Sequence, residues 1–379
     1  MELYKEKYKK LIRDYLIGYK PSYVEFLKKR YKGYKYICGF SVGNMGRGVL
    51  ELADAMGRKI DFYCDNDLQK TGKKDPYGYG IDVISVEELK KYKEETAVLI
   101  PTRYYKEIYR QLKELGFPMV DRALAGKLSI ENYLSENSIQ EAVQRLINTI
   151  DILADEESCR LLARLIQEWV TSEYCFGQTD DLYTVPQYFP KDIIRNSGAE
   201  VYVDCGAYTG DNIPDFMHYT GGQFQRYYAF ELSKSNFEKM KEYVFENWSE
   251  HADKFVLENK GVSGETGVIQ YGEYDEGSKM EDGGTQIGEV IALDDYFVDR
   301  GLVSFIKMDI EGAEMQALRG ANKTISKYRP KMAICIYHSP RDLWEIPLHI
   351  KTNWPDYDIF IRHHTDLLNE TVCYAVRKE

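Results

Sequence analysis

The chain of 379 residues is long enough for two or three domains, and its 44% apolar content is that of a globular protein. Fifty basic against sixty-one acidic residues give a formal charge of −11, which argues against a nucleic-acid backbone as the main partner. No run nears the roughly 18 apolar residues of a membrane span, and Lys5, Lys7, Lys9 and Lys10 interrupt any signal-peptide core.

Charge is uneven along the chain. Residues 1–36 hold eleven Lys/Arg and four Asp/Glu, about +7, which leaves about −18 for the rest. Within residues 1–33, Tyr4, Tyr8, Leu11, Ile12, Tyr15, Leu16 and Tyr19 recur at helical spacing with lysines between. A basic membrane-surface helix is one reading. Asp14, Glu2 and Glu6 dilute the basic face, so a helix packed on the next domain is preferred and peripheral membrane contact is not expected.

Residues 34–125 read as a first α/β domain. Tyr34–Phe40 is a strand, and Gly39, Gly43 and Gly46 make a glycine-rich turn into the helix Arg47–Met56. Lys59–Cys64 is a second strand, ending in Asp65, Asn66 and Asp67; Ala97–Ile100 is another, and Tyr104–Leu115 a helix. Strands alternating with helices argue a parallel sheet. Residues 126–198 carry no strand signal and read as a helical connector and loop, with Gln187-Tyr-Phe189 near its end.

Residues 199–379 read as a second α/β domain. Strands are expected at 200–204, 226–230, 254–258, 303–308, 331–336, 357–362 and 371–376, and helices at 211–217, 235–245, 313–319 and 343–350. Residues 264–288 hold seven glycines and suit a hairpin or mobile loop. A short link, Asp366 to Glu370, makes the last strand antiparallel. The fold class is therefore α/β, two Rossmann-like doubly wound units joined by a helical connector. Seven cysteines, none in a C-x-x-C pair, read as reduced thiols of a cytoplasmic protein and disfavour a cysteine-built zinc site.

Three constellations carry chemistry. The first is Val201-Tyr-Val-Asp-Cys-Gly-Ala-Tyr-Thr-Gly-Asp211, followed by Phe230-Glu231. A β-branched run ends in Asp204, Gly206 and Gly210 turn the chain, and the next strand ends in an acid about 20-odd residues on, where ribose hydroxyls need an acceptor. The second is Phe305-Ile-Lys-Met-Asp-Ile-Glu-Gly-Ala-Glu314. Glu314 is explained by a helix dipole, whereas Asp309 at the end of a buried strand requires a partner. The third is His338, His363 and His364, all after strands. Glycine turns alone do not choose the nucleotide, so an NAD-dependent oxidoreductase stays open at this point.

Together these residues resemble the FkbM family of S-adenosylmethionine-dependent methyltransferases, over roughly 150–379. Asp204–Asp211 is similar to the family's first cofactor motif and Phe230-Glu231 to its second. Ile306–Glu314 followed by Leu318-Arg-Gly-Ala321 is the most family-specific run. Ile336-Tyr-His338 with Asp342-Leu343, and Arg362-His-His364 with Glu370-Thr371, resemble a subgroup ending, while Leu232 stands where many members carry proline. The resemblance implies a class I methyltransferase fold for 199–379 and O-methylation of a sugar or glycan hydroxyl, as in polysaccharide or glycoconjugate biosynthesis. It places Asp204, Gly206, Tyr208 and Gly210 at the methionine and ribose end of S-adenosylmethionine. Glu231 falls on the ribose hydroxyls, Ser263 near the adenine, and Asp309 beside the cofactor. Asp309, Glu311, His338 and His363 are the catalytic candidates, with His338 as base and Asp309 orienting it. A divalent metal on Asp309 and these histidines is the less favoured alternative, because no local His spacing supports it. The first domain resembles a nucleotide-binding-type domain found before such methyltransferases. That implies either a nucleotide sugar whose diphosphate meets the helix after Gly46 or a plain scaffold. The rival function is a non-catalytic nucleotide-sugar-binding or scaffold protein with a decayed methyltransferase unit. Acceptor identity and oligomeric state are not encoded in these patterns.

Overall fold

In the computed structural model the apolar runs become the strands of three sheets. The structure describes residues 3–20, 22–102, 104–136, 139–170, 183–274, 277–280, 284–365 and 369–378. Cys175, the first part of the loop expected at 177–190, and much of the 366–370 link lie outside the described residues. Contacts divide the chain into two units, 16–139 with 167–176, and 1–15 with 140–166 and 177–379.

In the smaller unit, β1 (Tyr36–Phe40), β2 (Phe62–Cys64), β3 (Val83–Ile84), β4 (Thr96–Ile100) and β5 (Met119–Arg122) form one parallel sheet in the order β3-β2-β1-β4-β5. Alternate residues of each strand feed opposite faces. Ile37 and Leu99 join Val49 and Leu52 of the helix Arg47–Ala55. Cys38, Phe40, Val98 and Ile100 join Ile108 and Leu112 of the helix Tyr105–Glu114. Burial on both faces is why β4 is apolar at nearly every position.

The larger unit is built on β6 (Glu200–Cys205), β7 (Phe224–Phe230) and β8 (Phe255–Glu258). A small sheet follows, of β9 (Gly261–Val262), β10 (Gly267–Tyr274), β11 (Gly277–Met280) and β12 (Gln286–Ile291). The main sheet then continues with β13 (Phe305–Met308), β14 (Lys331–Cys335), β15 (Tyr357–His363) and β16 (Thr371–Arg377). Its order is β15-β16-β14-β13-β6-β7-β8. Strands β6, β7, β8, β13 and β14 are parallel, and β16 runs antiparallel to both its neighbours. The ends of β6, β7, β13, β14 and β15 therefore share one edge with the start of β16. The glycine-rich stretch at 264–288 is a hairpin in its own sheet, ordered β11-β10-β12-β9.

Two groupings differ from the sequence reading. The helix Leu3–Leu16, expected on the first domain, has most of its residues clustered with the larger unit, where Lys9 pairs with Asp151 and the Tyr8 hydroxyl donates to Glu156 at 3.2 Å. The stretch read as a connector is divided as well, since residues 140–166 pack on the main sheet. Leu153 bridges Ile359 of β15, Ser158 Oγ accepts from Ile361 N at 2.9 Å, and Arg362 Nη2 pairs with Asp155 at 2.6 Å. An uncovered strand edge is a liability, and these contacts close the β15 edge. No helix among the described residues is long and apolar enough to cross a membrane.

Candidate active site

The parallel strand ends converge on one crevice in the larger unit, as open α/β sheets require. At its floor β6 and β13 lie side by side with Asp204 opposite Lys307. Asp204 is 0% and Lys307 1% exposed, and they pair at 2.9 Å. The Tyr227 hydroxyl adds a 2.6 Å bond to Asp204, while Lys307 Nζ also donates to the Gly206 carbonyl at 2.6 Å. Burial disfavours the ammonium, but the Asp204 charge outweighs it and raises the Lys307 pKa. Asp204, expected at the cofactor's methionine end, is thus wholly enclosed. It acts on the crevice through Lys307, because a buried acid in a strand takes the nearest buried cation.

Gly206 and Gly210 both adopt left-handed backbone, φ +82° and +84°. A Cβ on Gly206 would lie 1.8 Å from the Asp309 carbonyl oxygen, so only glycine lets the two strand ends meet. The turn delivers Tyr208 N to Glu231 Oε2 at 2.9 Å, while Ser233 N donates to Oε1 at 2.8 Å. Asn259 Nδ2 bonds the carbonyls of Glu231 and Leu232. Glu231 is 6% exposed, and burial pushes its carboxyl up to about 7 against the two backbone donors. Ser263 follows β9, buried, its amide bonded to Ile291 O and its carbonyl against Gly320.

Across the crevice, Asp309 ends β13. Its Oδ2 accepts from the Tyr188 hydroxyl at 2.8 Å and Oδ1 from the Tyr337 hydroxyl at 3.1 Å. Burial works to raise its pKa, but the Lys307 and His338 charges and the two hydroxyls hold it below the ordinary carboxylate range. His338 lies among acids. Its Nδ1 is 3.0 Å from Glu314 Oε1, and its Nε2 is 3.4 Å from Asp309 Oδ1 and 3.6 Å from Glu311 Oε2. Burial alone would lower this imidazole; the Glu314, Asp309 and Glu311 charges raise it to about 10. Expected as the base, His338 instead holds its proton at neutral pH, because three carboxylates surround it. His363 departs further from expectation. It is fully buried under β16 with Nδ1 on Thr371 Oγ1 at 2.8 Å, since its strand position points it into the sheet packing. His364 bonds the Tyr374 hydroxyl and the Thr184 carbonyl.

Among the described residues, four of the six non-glycine positions with positive φ sit on these loops: Tyr188, Tyr208, Glu311 and Glu370. Such strain persists where surrounding structure over-determines it, commonly at functional sites. Glu370, raised to about 7 by burial and the Asp309 charge, accepts from Gln187 Nε2 at 2.6 Å. In the smaller unit the glycine turn is closed differently. The Tyr77 hydroxyl donates to Gly43 O at 2.5 Å and lies 2.0 Å from where a Gly46 Cβ would be, and Asp65 accepts from Val42 N. That tyrosine packs against the turn before the helix at which a diphosphate was expected.

Residues 204–367 match the family model described as the methyltransferase FkbM domain. The likeness to that domain spans less than half of the chain. Residues 4–117 match a second family model, described as the C-methyltransferase C-terminal domain. The crystal structure of methyltransferase FkbM from Methylobacillus flagellatus aligns over 98% of this chain and 99% of its own, with TM-score 0.73 and 21% identity, a likeness of fold. An rRNA methylase from Streptococcus thermophilus (TM-score 0.32, 14% identity, 50% of this chain and 91% of its own) aligns more weakly. So does fibrillarin from Aeropyrum pernix (TM-score 0.31, 11% identity, 49% and 71%). No curated protein matches the chain.

Each Glu231 oxygen spends one lone pair on a backbone N–H and keeps another free to accept, and the glycine turn admits close backbone approach. Sequence reasoning missed Lys307, Tyr188, Tyr337, Asn259 and Glu370. Lys307 carried a signal: a lysine inside an apolar strand needs a buried acid. Tyr188 carried none, being joined to Asp309 only by tertiary folding across 121 positions.

Proposed function

We propose that the chain is an S-adenosylmethionine-dependent O-methyltransferase acting on a hydroxyl of a sugar or glycan. The observation that supports this is the pairing, in one crevice, of the Glu231 nucleoside acceptor with the Asp309, Glu311 and His338 cluster across from it. When bound, S-adenosylmethionine supplies a methyl group on a sulfonium, which leaves as a neutral thioether.

The chain's own residues do the rest. Gly206, Tyr208 and Gly210 shape the turn, Glu231 accepts from the ribose hydroxyls, and Ser263 borders the adenine side. The Asp204–Lys307 pair positions the turn from beneath. The acceptor hydroxyl is placed against Asp309 and Glu311, whose carboxylates take its hydrogen bond and then its proton. The acceptor O–H bond breaks as O–CH3 forms, while the S–CH3 electron pair stays on sulfur. His338, with Nδ1 toward Glu314 and Nε2 between Asp309 and Glu311, holds the acids in place. Holding reactants in line can remove about 7–11 kcal/mol of barrier. The Tyr188 and Tyr337 hydroxyls fix the Asp309 carboxylate.

The C-methyltransferase match covers residues 4–117, none of which has been placed in this crevice, so it does not choose the atom methylated. Incubation of the chain with labelled methyl donor and a glycan array tests the reading. The expected product carries a methoxy resonance in its NMR spectrum. A C-methyl resonance overturns the O-specificity. Binding of S-adenosylhomocysteine without turnover on any glycan favours the non-catalytic rival.

A further inference from the structure

His338 and the three carboxylates around it have the donor chemistry and spacing of an ion site. The His338 Nε2 distances, 3.4 Å to Asp309 Oδ1 and 3.6 Å to Glu311 Oε2, are long for charge-assisted hydrogen bonds, which run about 2.7–2.9 Å. They are the separations of donors sharing a tetrahedral ion, whose edge is about 3.4 Å for bonds of about 2.1 Å. One donor atom each from Asp309, Glu314 and His338 lies within 4.8 Å of the others.

A second observation points the same way. The His338 side chain is 10% exposed and its Nδ1 lies 3.0 Å from Glu314 Oε1, yet Nε2, facing Asp309 and Glu311, makes no hydrogen bond. Glu314 is 1% exposed and its Oε2 makes none. Buried polar atoms of this kind ordinarily have partners. Charge agrees: three carboxylates face one imidazole, and the nearest buried cation, Lys307, is 2.9 Å from Asp204.

We propose that this cluster binds one divalent transition-metal ion, with His338 Nε2 and Asp309 Oδ1 as ligands and Glu311 as the third. Glu314 takes the Nδ1 proton, fixing tautomer and ring orientation as carboxylates do behind metal-bound histidines. Donors of mixed oxygen and nitrogen suit manganese, iron or zinc, whereas magnesium favours an all-oxygen shell. The role of the ion rests on the methyltransferase reading above: in the open coordination position it takes the acceptor hydroxyl and lowers its pKa, so that the proton leaves to Glu311 or water before methyl transfer.

The test titrates the full chain, stripped with EDTA, with MnCl2 by calorimetry and follows the Mn(II) signal by electron paramagnetic resonance. One Mn2+ per chain is expected, with Mg2+ at least about tenfold weaker. Asp309→Asn and His338→Ala should weaken Mn2+ at least about tenfold, and Glu314→Gln about 10–100-fold. Cooperative thermal melting in EDTA checks that each variant is folded. Should a variant not fold, spin-echo modulation on the wild-type Mn2+ complex decides between ligation and its absence, since a directly bound 14N nucleus is expected. Failure of the wild type to bind Mn2+, Mn2+ binding without nitrogen coupling, or wild-type affinity in His338→Ala each overturns the site. Loss of S-adenosylhomocysteine binding with Mn2+ binding intact would overturn the methyltransferase reading alone.

Discussion

Replacing Lys307 by methionine tests the floor of the crevice. Asp204 is then left 0% exposed with one neutral donor, the Tyr227 hydroxyl. Breaking a buried ion pair by removing one partner costs about 3–5 kcal/mol, because the remaining charge has lost both water and its counter-ion. The bond from Lys307 Nζ to the Gly206 carbonyl disappears too, adding about 1.5–3 kcal/mol for a charged donor. Lys307→Met alone should therefore destabilise the larger unit by about 4.5–8 kcal/mol. Asp204→Asn with Lys307→Met removes both charges, and at least about 2 kcal/mol should return relative to the sum of the single changes. Urea unfolding followed by tryptophan fluorescence measures this, since Trp248, Trp344 and Trp354 all lie in that unit. Because Gly206 leads the turn that delivers Tyr208 N to Glu231, the single variant should also bind S-adenosylhomocysteine more weakly. A cost under about 1 kcal/mol with additive effects would refute the claim that this pair organises the turn.

The other predictions separate stability from cofactor binding. Lys331→Met strips the partner of Glu200, 0% exposed at the opposite end of β6. It should cost about 3–5 kcal/mol in urea unfolding yet leave S-adenosylhomocysteine affinity of the folded chain within about twofold. Gly206→Ala drives a Cβ against the Asp309 carbonyl at a φ of +82°; a lower melting temperature and loss of S-adenosylhomocysteine binding are expected, and an unchanged melt would contradict the close approach. Glu231 gives a pH signature. Its carboxyl is raised from 4.5 to about 7, so the folded state binds this proton more tightly than the unfolded one. That contribution to stability is fully present below about 4.5 and is lost as pH rises through about 7. Ribose hydroxyls need the ionised form, so S-adenosylhomocysteine affinity should rise with pH, about tenfold per unit below pH 7 and levelling above it. A flat calorimetric profile, or one that falls with pH, would remove Glu231 from the ribose role.

The sheet was legible where one physical demand dominated each position. Strands β6, β13 and β14 are buried on both faces, so each reads as a short apolar run, with an acid within or just after β6 and β13. The turn at Gly206 and Gly210 was legible because left-handed backbone requires glycine there. Roles set by partners distant in sequence were not. Asp204 looks like a ligand residue until β13 is laid beside β6 and Lys307 falls opposite it. His338 looks like a base until Glu314, Asp309 and Glu311 are folded around it. The helix Leu3–Leu16 shows its apolar stripe in the sequence, but the stripe does not name Asp151 and Glu156 as its neighbours.

The two sides of the crevice are made differently, and that bears on where specificity resides. The side proposed for the cofactor is held through backbone: Tyr208 N and Ser233 N fix Glu231, Lys307 fixes the Gly206 carbonyl, and Asn259 fixes the Glu231 carbonyl. Side-chain changes there can abolish binding but have little means of retuning it, which suits a nucleoside of constant shape. The facing side is side chain: Tyr188, Tyr337, Glu311, His338, and Gln187 with Glu370. Of these, Tyr188 and Gln187 come from the segment before β6, and Glu370 from the start of β16, outside the βα turns that build the cofactor half. Acceptor choice can therefore change through those flanking segments while the Asp309 cluster and the Gly206 turn stay as they are.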